Sequence, residues 1–415
     1  MSPKYTLSLW ICCCTLFISC SANQPSEERS DYPEADSLIQ AALSEDLFTG
    51  AVLLIAESGE IVHHKAYGYA TLYDESLRVV PSPDSTTTRH LFDLASLTKV
   101  FATTYAFMAL HTDGKINPDA PVSQYLPDFN TPQHRTITVR QLLNHTSGLM
   151  PWYPLYYRAA GSDDLIKEIL SLPLSGVPGE ARRYSDLGFI VLAEIAESIT
   201  GMSFDEYLYD RVYSRIGLEK TVYNPLDKGM EDLVSTSHGN PFERKMVYEP
   251  DFGYRIDVDP DSWRNWRTYT LRGEVSDGNA WHAAGGMAGH AGLFSTAEDL
   301  LLLLQAVINP VSGSNDPIFE EETIRMFTEP DEFGNGLGWA MEPSALHAET
   351  LPQGAIGHTG FTGTNFVADP NPDGGRIYIL LTNRQHVGVD GAGLYPDLRE
   401  LREKMAKLVF GEQLR

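Results

Sequence analysis

The sequence predicts an α+β fold in which one antiparallel sheet is flanked by helices and carries an inserted, mostly helical domain. Two hairpin patterns support this prediction, one near each end of the 415-residue chain, and helical segments border both. We expect both hairpins to pair within one sheet. Because they lie far apart in sequence, the domain that contains this sheet would be discontinuous. The composition is 42% hydrophobic and 10% aromatic, which is typical of globular proteins and excludes a disordered or collagen-like polymer.

The N-terminal elements follow from apolar spacing. Residues 34–47 carry apolar side chains on one helical face. The runs Gly50–Ala56 and Ile61–Tyr69 alternate like strands and are joined by the turn-forming segment Glu57–Glu60. Residues 95–111 form a second apolar stripe at helical spacing, and Gly114 is placed to end that helix.

The later elements show the same kinds of pattern. Ser295 and Glu298 have the spacing of a capping box for the helix that follows. The predicted elements are the helices Leu187–Ile199, Thr296–Val307 and Leu398–Phe410, and the strands Thr364–Asp369 and Arg376–Asn383. We therefore expect one domain over 33–415, with an α/β part at about 33–114 and 335–415 and a helical insertion at about 115–334.

The N-terminus has the features of an export signal. All four cysteines lie within the first twenty residues, and an apolar run, Leu7–Ile18, follows Lys4. The run ends in Phe17-Ile18-Ser19-Cys20, which resembles a bacterial lipobox and implies cleavage before a lipidated Cys20. We expect a signal peptide at 1–19, a flexible tether at 20–32, and an exported lipoprotein anchored in a membrane on its periplasmic or cell-surface side. The alternative is an ordinary signal peptide with an incidental cysteine.

The charge balance excludes one class of partner. The chain has 31 basic and 56 acidic residues, giving a net charge of −25. A surface this negative repels phosphates, so we expect no nucleic acid partner. After Cys20 there is no cysteine, which excludes a thiol nucleophile and a cysteine-based zinc site in the mature chain.

The start of the 95–111 helix places a serine and a lysine together. Ser96 and Lys99 are three residues apart and therefore lie on one helical face, within reach of each other. A serine hydroxyl becomes a nucleophile when a neighbouring group takes its proton, and a desolvated lysine can do so. The motif alone is short and also occurs at solvated helix starts.

Further motifs follow in a fixed order. Tyr184-Ser185-Asp186 precedes a helix, and His358-Thr359-Gly360 lies in a glycine-rich strand context. With Ser96-Leu97-Thr98-Lys99 they resemble the three-motif signature of the serine β-lactamase and penicillin-binding protein family, which includes class C β-lactamases, DD-carboxypeptidases and esterases. Leu142–Leu149 resembles the family's L-L-x-H-T-S-G-L segment, and Gly285–Leu300 resembles its glycine-rich loop.

The resemblance implies a fold and a set of roles. The fold would be β-lactamase/DD-peptidase-like, and Ser96 would be the nucleophile that becomes acylated. Lys99 and Tyr184 would share the general-base and general-acid duty, with the pKa of the phenol lowered by the ammonium. The backbone N–H groups of Ser96 and Phe361 would form the oxyanion hole. Asp186, His358, Thr359 and Gly360 would contact substrate, with His358 and Thr359 holding its carboxylate or equivalent.

One residue departs from the family pattern. The family's middle motif is Tyr-x-Asn, whereas this chain has Asp186. A carboxylate cannot donate a hydrogen bond, and beside Lys99 it tends to raise the pKa of the amine. This departure disfavours amide-type substrates, including β-lactams, without removing the nucleophile.

Other residues offer weaker alternatives. His282, His290 and Asp277 are close in sequence, but their spacing matches no known metal motif, so we expect no metal or other cofactor. The aromatic segment Pro151–Tyr157 is compatible with a cleft wall or with core packing. The segment Trp263–Arg267 is compatible with sugar stacking, although a surface loop with cation–π pairs is the commoner arrangement.

These observations predict a serine hydrolase that acts through an acyl-enzyme on Ser96. We expect it to be DD-carboxypeptidase-like or esterase-like, with cell-wall peptides or small esters as substrates. The alternatives are a β-lactamase, a metal-dependent hydrolase, and a non-catalytic protein that uses the same fold to bind cell-wall fragments or a partner.

Overall fold

The computed structural model describes residues 29–249, 251–254, 256–310, 316–371 and 374–411. The predicted signal peptide and Cys20 lie outside these residues. Arg29 and Ser30, at the end of the predicted tether, pair with His64 and His63 as a short antiparallel strand. The Arg29 guanidinium also donates to the Ile61 carbonyl at 2.8 Å, so the expected tether does not extend to residue 32.

The strands of the described residues form one large sheet and two small ones. In chain order they are β1 (Arg29–Ser30), β2 (Gly50–Glu57), β3 (Glu60–Tyr73), β4 (Val79–Ser85), β5 (Phe92–Asp93), β6 (Val222–Tyr223), β7 (Ser235–His238), β8 (Thr270–Arg272), β9 (Leu293–Ser295), β10 (Ile356–Thr359), β11 (Asn365–Ala368) and β12 (Arg376–Thr382). The large sheet has the order β1-β3-β2-β12-β11-β10, with β4 paired to β3, and its neighbours are antiparallel. The small sheets are β5-β9-β6 and β7-β8.

The α-helices lie outside and between these sheets. They are α1 (Pro33–Ser44), α2 (Tyr105–Thr112), α3 (Val139–Leu143), α4 (Ser162–Ser171), α5 (Asp186–Thr200), α6 (Phe204–Leu208), α7 (Ser214–Ile216), α8 (Pro241–Tyr248), α9 (Gly278–Ala283), α10 (Ala297–Ile308), α11 (Glu321–Thr328) and α12 (Arg399–Phe410). Within the described residues no single helix is long and apolar enough to cross a membrane; α5 and the helical segment Phe204–Ile216 meet that criterion only as a pair bent by 74°.

The prediction that both terminal hairpins share one antiparallel sheet is confirmed. Strand β12 pairs with β2 from Arg376 opposite Glu57 to Thr382 opposite Ala51, which joins the two ends of the chain. Both strands are buried on both faces. Alternate residues of β2 therefore enter two cores, with Leu54 packed towards the helical part and Leu53 towards α1 and α12.

Two local predictions are wrong in detail. The segment expected to be a regular helix from residue 95 begins with a 3₁₀ turn, Ala95–Leu97, and a π-helical turn, Lys99–Thr104, before α2. In that turn the Thr104 hydroxyl donates to the Lys99 carbonyl at 2.9 Å. The N-cap of α10 is Thr296 rather than Ser295, because Ser295 belongs to β9 and Thr296 accepts from the Asp299 N–H.

Candidate active site

The segment that carries Ser96 is held in a strained conformation. Ala95 has a φ of 46°, a value that non-glycine residues rarely adopt. Asp93 stabilises this turn: one carboxylate oxygen accepts from the Ala95 N–H at 2.9 Å and the other from the Ser276 N–H at 2.7 Å. Burial raises the pKa of Asp93 to about 6. The turn thus presents Ser96 at the cleft while Leu97 enters the core.

Lys99 lies directly beneath the serine. Its Nζ is 3.1 Å from Ser96 Oγ, 2.7 Å from Asp186 Oδ1 and 3.2 Å from the His290 carbonyl oxygen. The lysine side chain is fully buried. Burial alone lowers the pKa of Lys99, but the Asp186 carboxylate and Tyr184 outweigh it, so the pKa is raised. Lys99 is therefore an ammonium paired with Asp186, which agrees with the effect expected from the sequence.

The segment with Tyr184 is fixed by backbone contacts to the loop after α3. Ser185 N–H donates to His145 Nδ1 at 3.0 Å, and Asp186 N–H donates to the Pro151 carbonyl at 2.9 Å. The His145 ring lies between Tyr184 and Phe189, with centroid distances of 4.4 and 5.0 Å. Burial lowers the pKa of His145 well below its usual range, so a neutral imidazole supports the tyrosine.

The phenol of Tyr184 faces both Lys99 and Ser96. The ammonium lies 4.8 Å from the ring centroid, and its charge, together with hydrogen bonding to Lys99 and Ser96, partly offsets a net rise in the pKa of Tyr184. The ring is 37% exposed at the cleft, but the surrounding protein still penalises a phenolate and raises the pKa by more than these groups lower it. The prediction of a lowered pKa for Tyr184 is therefore wrong, because sequence shows the ammonium but not the burial.

The two residues predicted to supply the oxyanion hole, Ser96 and Phe361, both line the cleft. Phe361 lies in a turn, and among the described residues its N–H donates to no other backbone group, so it is available to an oxyanion. The turn with Phe361 is tied to the Ser96 segment, since Thr362 Oγ1 donates to the Asp93 carbonyl at 2.7 Å. Gly360 packs so closely that an added Cβ would lie 2.6 Å from the Leu94 carbonyl oxygen. Gly360 thus positions this turn and has no side chain to offer a substrate.

Strand β10 supplies His358 and Thr359 at the edge of the sheet. His358 is buried, its ring lies 5.9 Å from that of Tyr184, and its Nδ1 donates to the Thr359 carbonyl at 2.9 Å. Burial, with help from the Lys99 ammonium, lowers the pKa of His358 to about 3. A neutral imidazole cannot form an ion pair with a carboxylate, so the predicted carboxylate-holding role of His358 is not supported by its charge.

The cleft contains residues that sequence reasoning missed. A cavity of about 260 Å³ opens beside Ser96, Tyr184 and Asp186, and α8 and neighbouring loops form its far side. Those additional lining residues include Asn240, Phe242, Glu243 and Tyr395. They come from separate parts of the chain, and no short motif joins them. Of the aromatic segment Pro151–Tyr157, Pro151 and Trp152 line the cavity, while Leu155 and Tyr156 are buried in the core.

The weaker sequence alternatives also have defined places. Trp263 packs against Tyr156 and His282, each at 5.0 Å between centroids, so part of its ring surface is occupied by protein contacts. Asp277 accepts from His290 Nε2 at 2.9 Å and from the N–H of Ala280, which caps α9. Among the residues that the structure describes, no group of three or more His, Cys, Asp or Glu side chains is arranged to hold a metal.

Comparison with known proteins matches the chain to a family and to named relatives. Residues 35–402 match the Beta-lactamase family model. The chain is 34% identical to a putative D-alanyl-D-alanine carboxypeptidase of Escherichia coli K12, covering 84% of this chain and 81% of that protein. It is also 34% identical to an N-acetylmuramyl-L-alanine amidase of Bacillus subtilis, covering 82% of this chain and 78% of that protein.

Solved structures share the fold at lower identity. EstCE1, a hydrolase with promiscuous acyltransferase activity, superposes with a TM-score of 0.64 at 20% identity, over 90% of this chain and 97% of its own. A class C β-lactamase from Rhodobacter sphaeroides superposes with a TM-score of 0.61 at 18% identity, over 92% of this chain and all of its own. The chain therefore belongs to the β-lactamase family of serine hydrolases.

Proposed function

We propose that this protein is a DD-carboxypeptidase-like enzyme that hydrolyses cell-wall peptides through an acyl-enzyme on Ser96. The observation that carries the proposal is the placement of Lys99 Nζ 3.1 Å from Ser96 Oγ, at a cleft that Tyr184 and Phe361 also line. A nucleophile, a proton-transfer group and oxyanion donors thus converge on one point, as acyl transfer requires.

Acylation needs a proton acceptor, and the ion pair between Lys99 and Asp186 supplies one. When bound substrate excludes water from the ion pair, one ammonium proton passes to Asp186 Oδ1, 2.7 Å from Nζ, and leaves a neutral amine. The amine takes the Ser96 proton as Oγ bonds to the substrate carbonyl carbon, and the oxyanion lies between the N–H groups of Ser96 and Phe361. No proton is exchanged with solvent in these transfers.

Collapse of the tetrahedral intermediate breaks the bond to the leaving group. The Tyr184 hydroxyl donates its proton to the departing nitrogen or oxygen, and Lys99 then reprotonates the phenolate. Asp186 returns the proton to Lys99. The products are the Ser96 ester, a neutral leaving group and the original ion pair. Water repeats the sequence in the second half-reaction and releases the acyl group, so atoms and charges balance throughout.

Both an amide and an ester are candidate scissile bonds. The names of the two 34%-identical relatives, a putative carboxypeptidase and an amidase, support cell-wall peptide amides. Asp186 supports esters as a second class, because its carboxylate is held by Lys99 and cannot donate to a substrate amide carbonyl as an asparagine can. Asp186 also disfavours efficient β-lactam hydrolysis, because a β-lactam is a cyclic amide.

Export and lipid anchoring form part of the proposal. They rest on the sequence Phe17-Ile18-Ser19-Cys20 and on the apolar run before it. Labelling of growing cells with a radioactive fatty acid is expected to mark the protein, and Cys20→Ala is expected to abolish the label. A label that persists in Cys20→Ala would contradict lipidation at this cysteine.

The experiment that tests the hydrolase proposal compares two substrates on purified protein. We expect release of D-alanine from a peptide ending in D-alanyl-D-alanine, and release of 4-nitrophenol from 4-nitrophenyl acetate, both lost in Ser96→Ala. Ester turnover without peptide turnover would favour the esterase alternative. No turnover of either, with the protein folded, would overturn the proposal and favour a binding protein.

A further inference from the structure

The cavity beside Ser96 is acidic in a way that the hydrolytic mechanism does not use. Three carboxylates line it, from Asp186, Glu243 and Asp277, and its described lining includes no lysine or arginine. Asp186 is paired with Lys99, and Asp277 accepts from His290. Glu243 has no role in the catalytic steps proposed above.

Glu243 has one satisfied and one unsatisfied oxygen. Oε1 accepts from the Gly278 N–H at 2.7 Å, at the start of α9. Oε2 is buried and has no hydrogen-bond partner among the described residues. It occupies space that a side chain at 278 would fill, since an added Cβ on Gly278 would lie 2.1 Å from Oε2. A buried acceptor without a donor is destabilising, and a ligand that donates a hydrogen bond to this carboxyl group would remove that penalty.

Arg267 lies close enough to lower the pKa of Glu243, but it donates no hydrogen bond to the Glu243 carboxyl group among the described residues. The Arg267 guanidinium donates to Asn240 Oδ1, to the Val275 carbonyl and to the Ser276 carbonyl. Its ion-pair partner is Glu274, at 3.7 Å. Burial and then the neighbouring Asp277 raise the pKa of Glu243, so the empty cavity holds this carboxyl in its protonated form more readily than water does. A bound cation would restore the carboxylate.

The remaining wall suits an alkyl chain that ends in a cation. Phe242, Phe361 and Tyr395 contact one another at centroid distances of 4.9 to 6.2 Å and line the cavity together with Met246. Aromatic faces attract ammonium groups, and their apolar area accommodates methylene groups. An acidic end behind an aromatic wall is complementary to a primary alkylammonium and repels a carboxylate.

We infer that this cavity is a recognition site for a primary ammonium on the substrate, such as the side chain of a diamino acid in a cell-wall peptide, with Glu243 as its hydrogen-bonding acceptor. The inference rests on the proposed function, because the cavity opens beside Ser96. It adds the class of substrate: the group that occupies this cavity carries a positive charge, while the carbonyl to be attacked lies at Ser96.

Competitive inhibition of ester hydrolysis tests the inference without requiring peptide turnover. The probes are n-butylammonium, n-butanol and butyrate, which share one alkyl chain and differ in charge. We expect n-butylammonium to inhibit the hydrolysis of 4-nitrophenyl acetate with an inhibition constant at least about tenfold below that of n-butanol, and butyrate to inhibit least. Equal inhibition by the amine and the alcohol would overturn the inference.

Substitutions locate the effect. Glu243→Gln keeps an acceptor for the Gly278 N–H but places an amide donor where the ammonium would bind, so the preference for the amine is expected to disappear. Glu219→Gln, at an exposed surface position, serves as the matched control and is expected to retain it. An unchanged preference in Glu243→Gln would assign amine recognition to other residues and overturn the role of Glu243. If Glu243→Gln does not fold, Glu243→Asp withdraws the acid from the cavity and is expected to reduce the preference.

The test separates failure of the inference from failure of the proposed function. An enzyme that hydrolyses the ester through Ser96 and does not discriminate between amine and alcohol refutes only the inference. A folded protein that hydrolyses no ester and no peptide refutes the proposed function. In that case the amine preference is measured by calorimetric titration with n-butylammonium and with n-butanol. Equal dissociation constants for the two would refute the inference as well.

Discussion

The two sides of the cleft differ in how their polar groups are satisfied. On one side, which we call the catalytic side, Lys99 and Asp186 are paired with each other and Lys99 also contacts Ser96. On the other side, which we call the recognition side, Glu243 has a buried oxygen without a partner. The catalytic side is preorganised before substrate arrives, whereas the recognition side is completed by it. Chemistry and selectivity are therefore encoded in separate segments of the chain and can be altered separately.

Removal of the nucleophile gives the largest expected effect on the catalytic side. Ser96→Ala deletes the atom that forms the covalent intermediate, so kcat/KM for 4-nitrophenyl acetate is expected to fall by at least about a thousandfold. Ser44→Ala, an exposed serine on α1, is the control and is expected to retain full activity. Substantial activity in Ser96→Ala would show that another group carries the reaction.

Loss of the Tyr184 hydroxyl is expected to have the next largest effect. Tyr184→Phe keeps the ring between His145 and His358 but removes the proton donor for the leaving group. We expect kcat to fall by about 10²- to 10⁴-fold, with little change in thermal stability. Tyr209→Phe, at an exposed position, is the matched control. An effect on KM alone would assign Tyr184 to binding instead.

Asp186→Asn tests the internal proton transfer. Asp186 raises the pKa of Lys99, so its removal lowers that pKa and leaves the amine to lose its proton to solvent. We expect kcat/KM near neutral pH to fall by about tenfold in the variant and to rise with increasing pH. In the wild type we expect kcat/KM to stay nearly constant between about pH 6 and 8. The ratio of peptide to ester turnover is expected to shift as well. Identical pH profiles and identical ratios would contradict the role of Asp186.

The smallest expected effect concerns His358. Because its pKa is lowered to about 3, His358 stays neutral across the working range and contributes no charge to substrate binding. KM for a peptide ending in D-alanyl-D-alanine is therefore expected to show no step near pH 6.5, the usual range of histidine. His358→Gln is expected to change KM by less than about fivefold. A KM that rises as pH increases through that range would show a charged imidazole at the site.

The elements with clear periodicity could be predicted from the sequence, and so could the residues held by short motifs. The strands β2 and β12 are uninterrupted apolar runs with defined turns, and their pairing follows from the need to bury them. Ser96 and Lys99 meet because helical geometry brings them together. The irregular π-helical turn after Ser96 keeps nearly the same apolar spacing as an α-helix, so periodicity could not distinguish the two.

The recognition side could not be predicted for a physical reason. Glu243 meets Gly278 only through tertiary packing of α8 on α9, and the chain between them carries no spacing signal. The structural role of Asp93 depends on its contact with Ser276, which lies 183 residues later in the sequence. The pKa of Tyr184 was misjudged for a related reason, since desolvation is a property of the folded surroundings and not of the neighbouring charge.

Intact mass spectrometry of the protein during turnover tests the central claim most directly. After incubation with a slowly hydrolysed activated ester or with a penicillin, we predict a single added acyl mass that fragmentation locates on Ser96. The adduct should be absent in Ser96→Ala and present in the Ser44→Ala control. An adduct on any other residue, or one that persists in Ser96→Ala, would contradict acyl-enzyme chemistry at this serine.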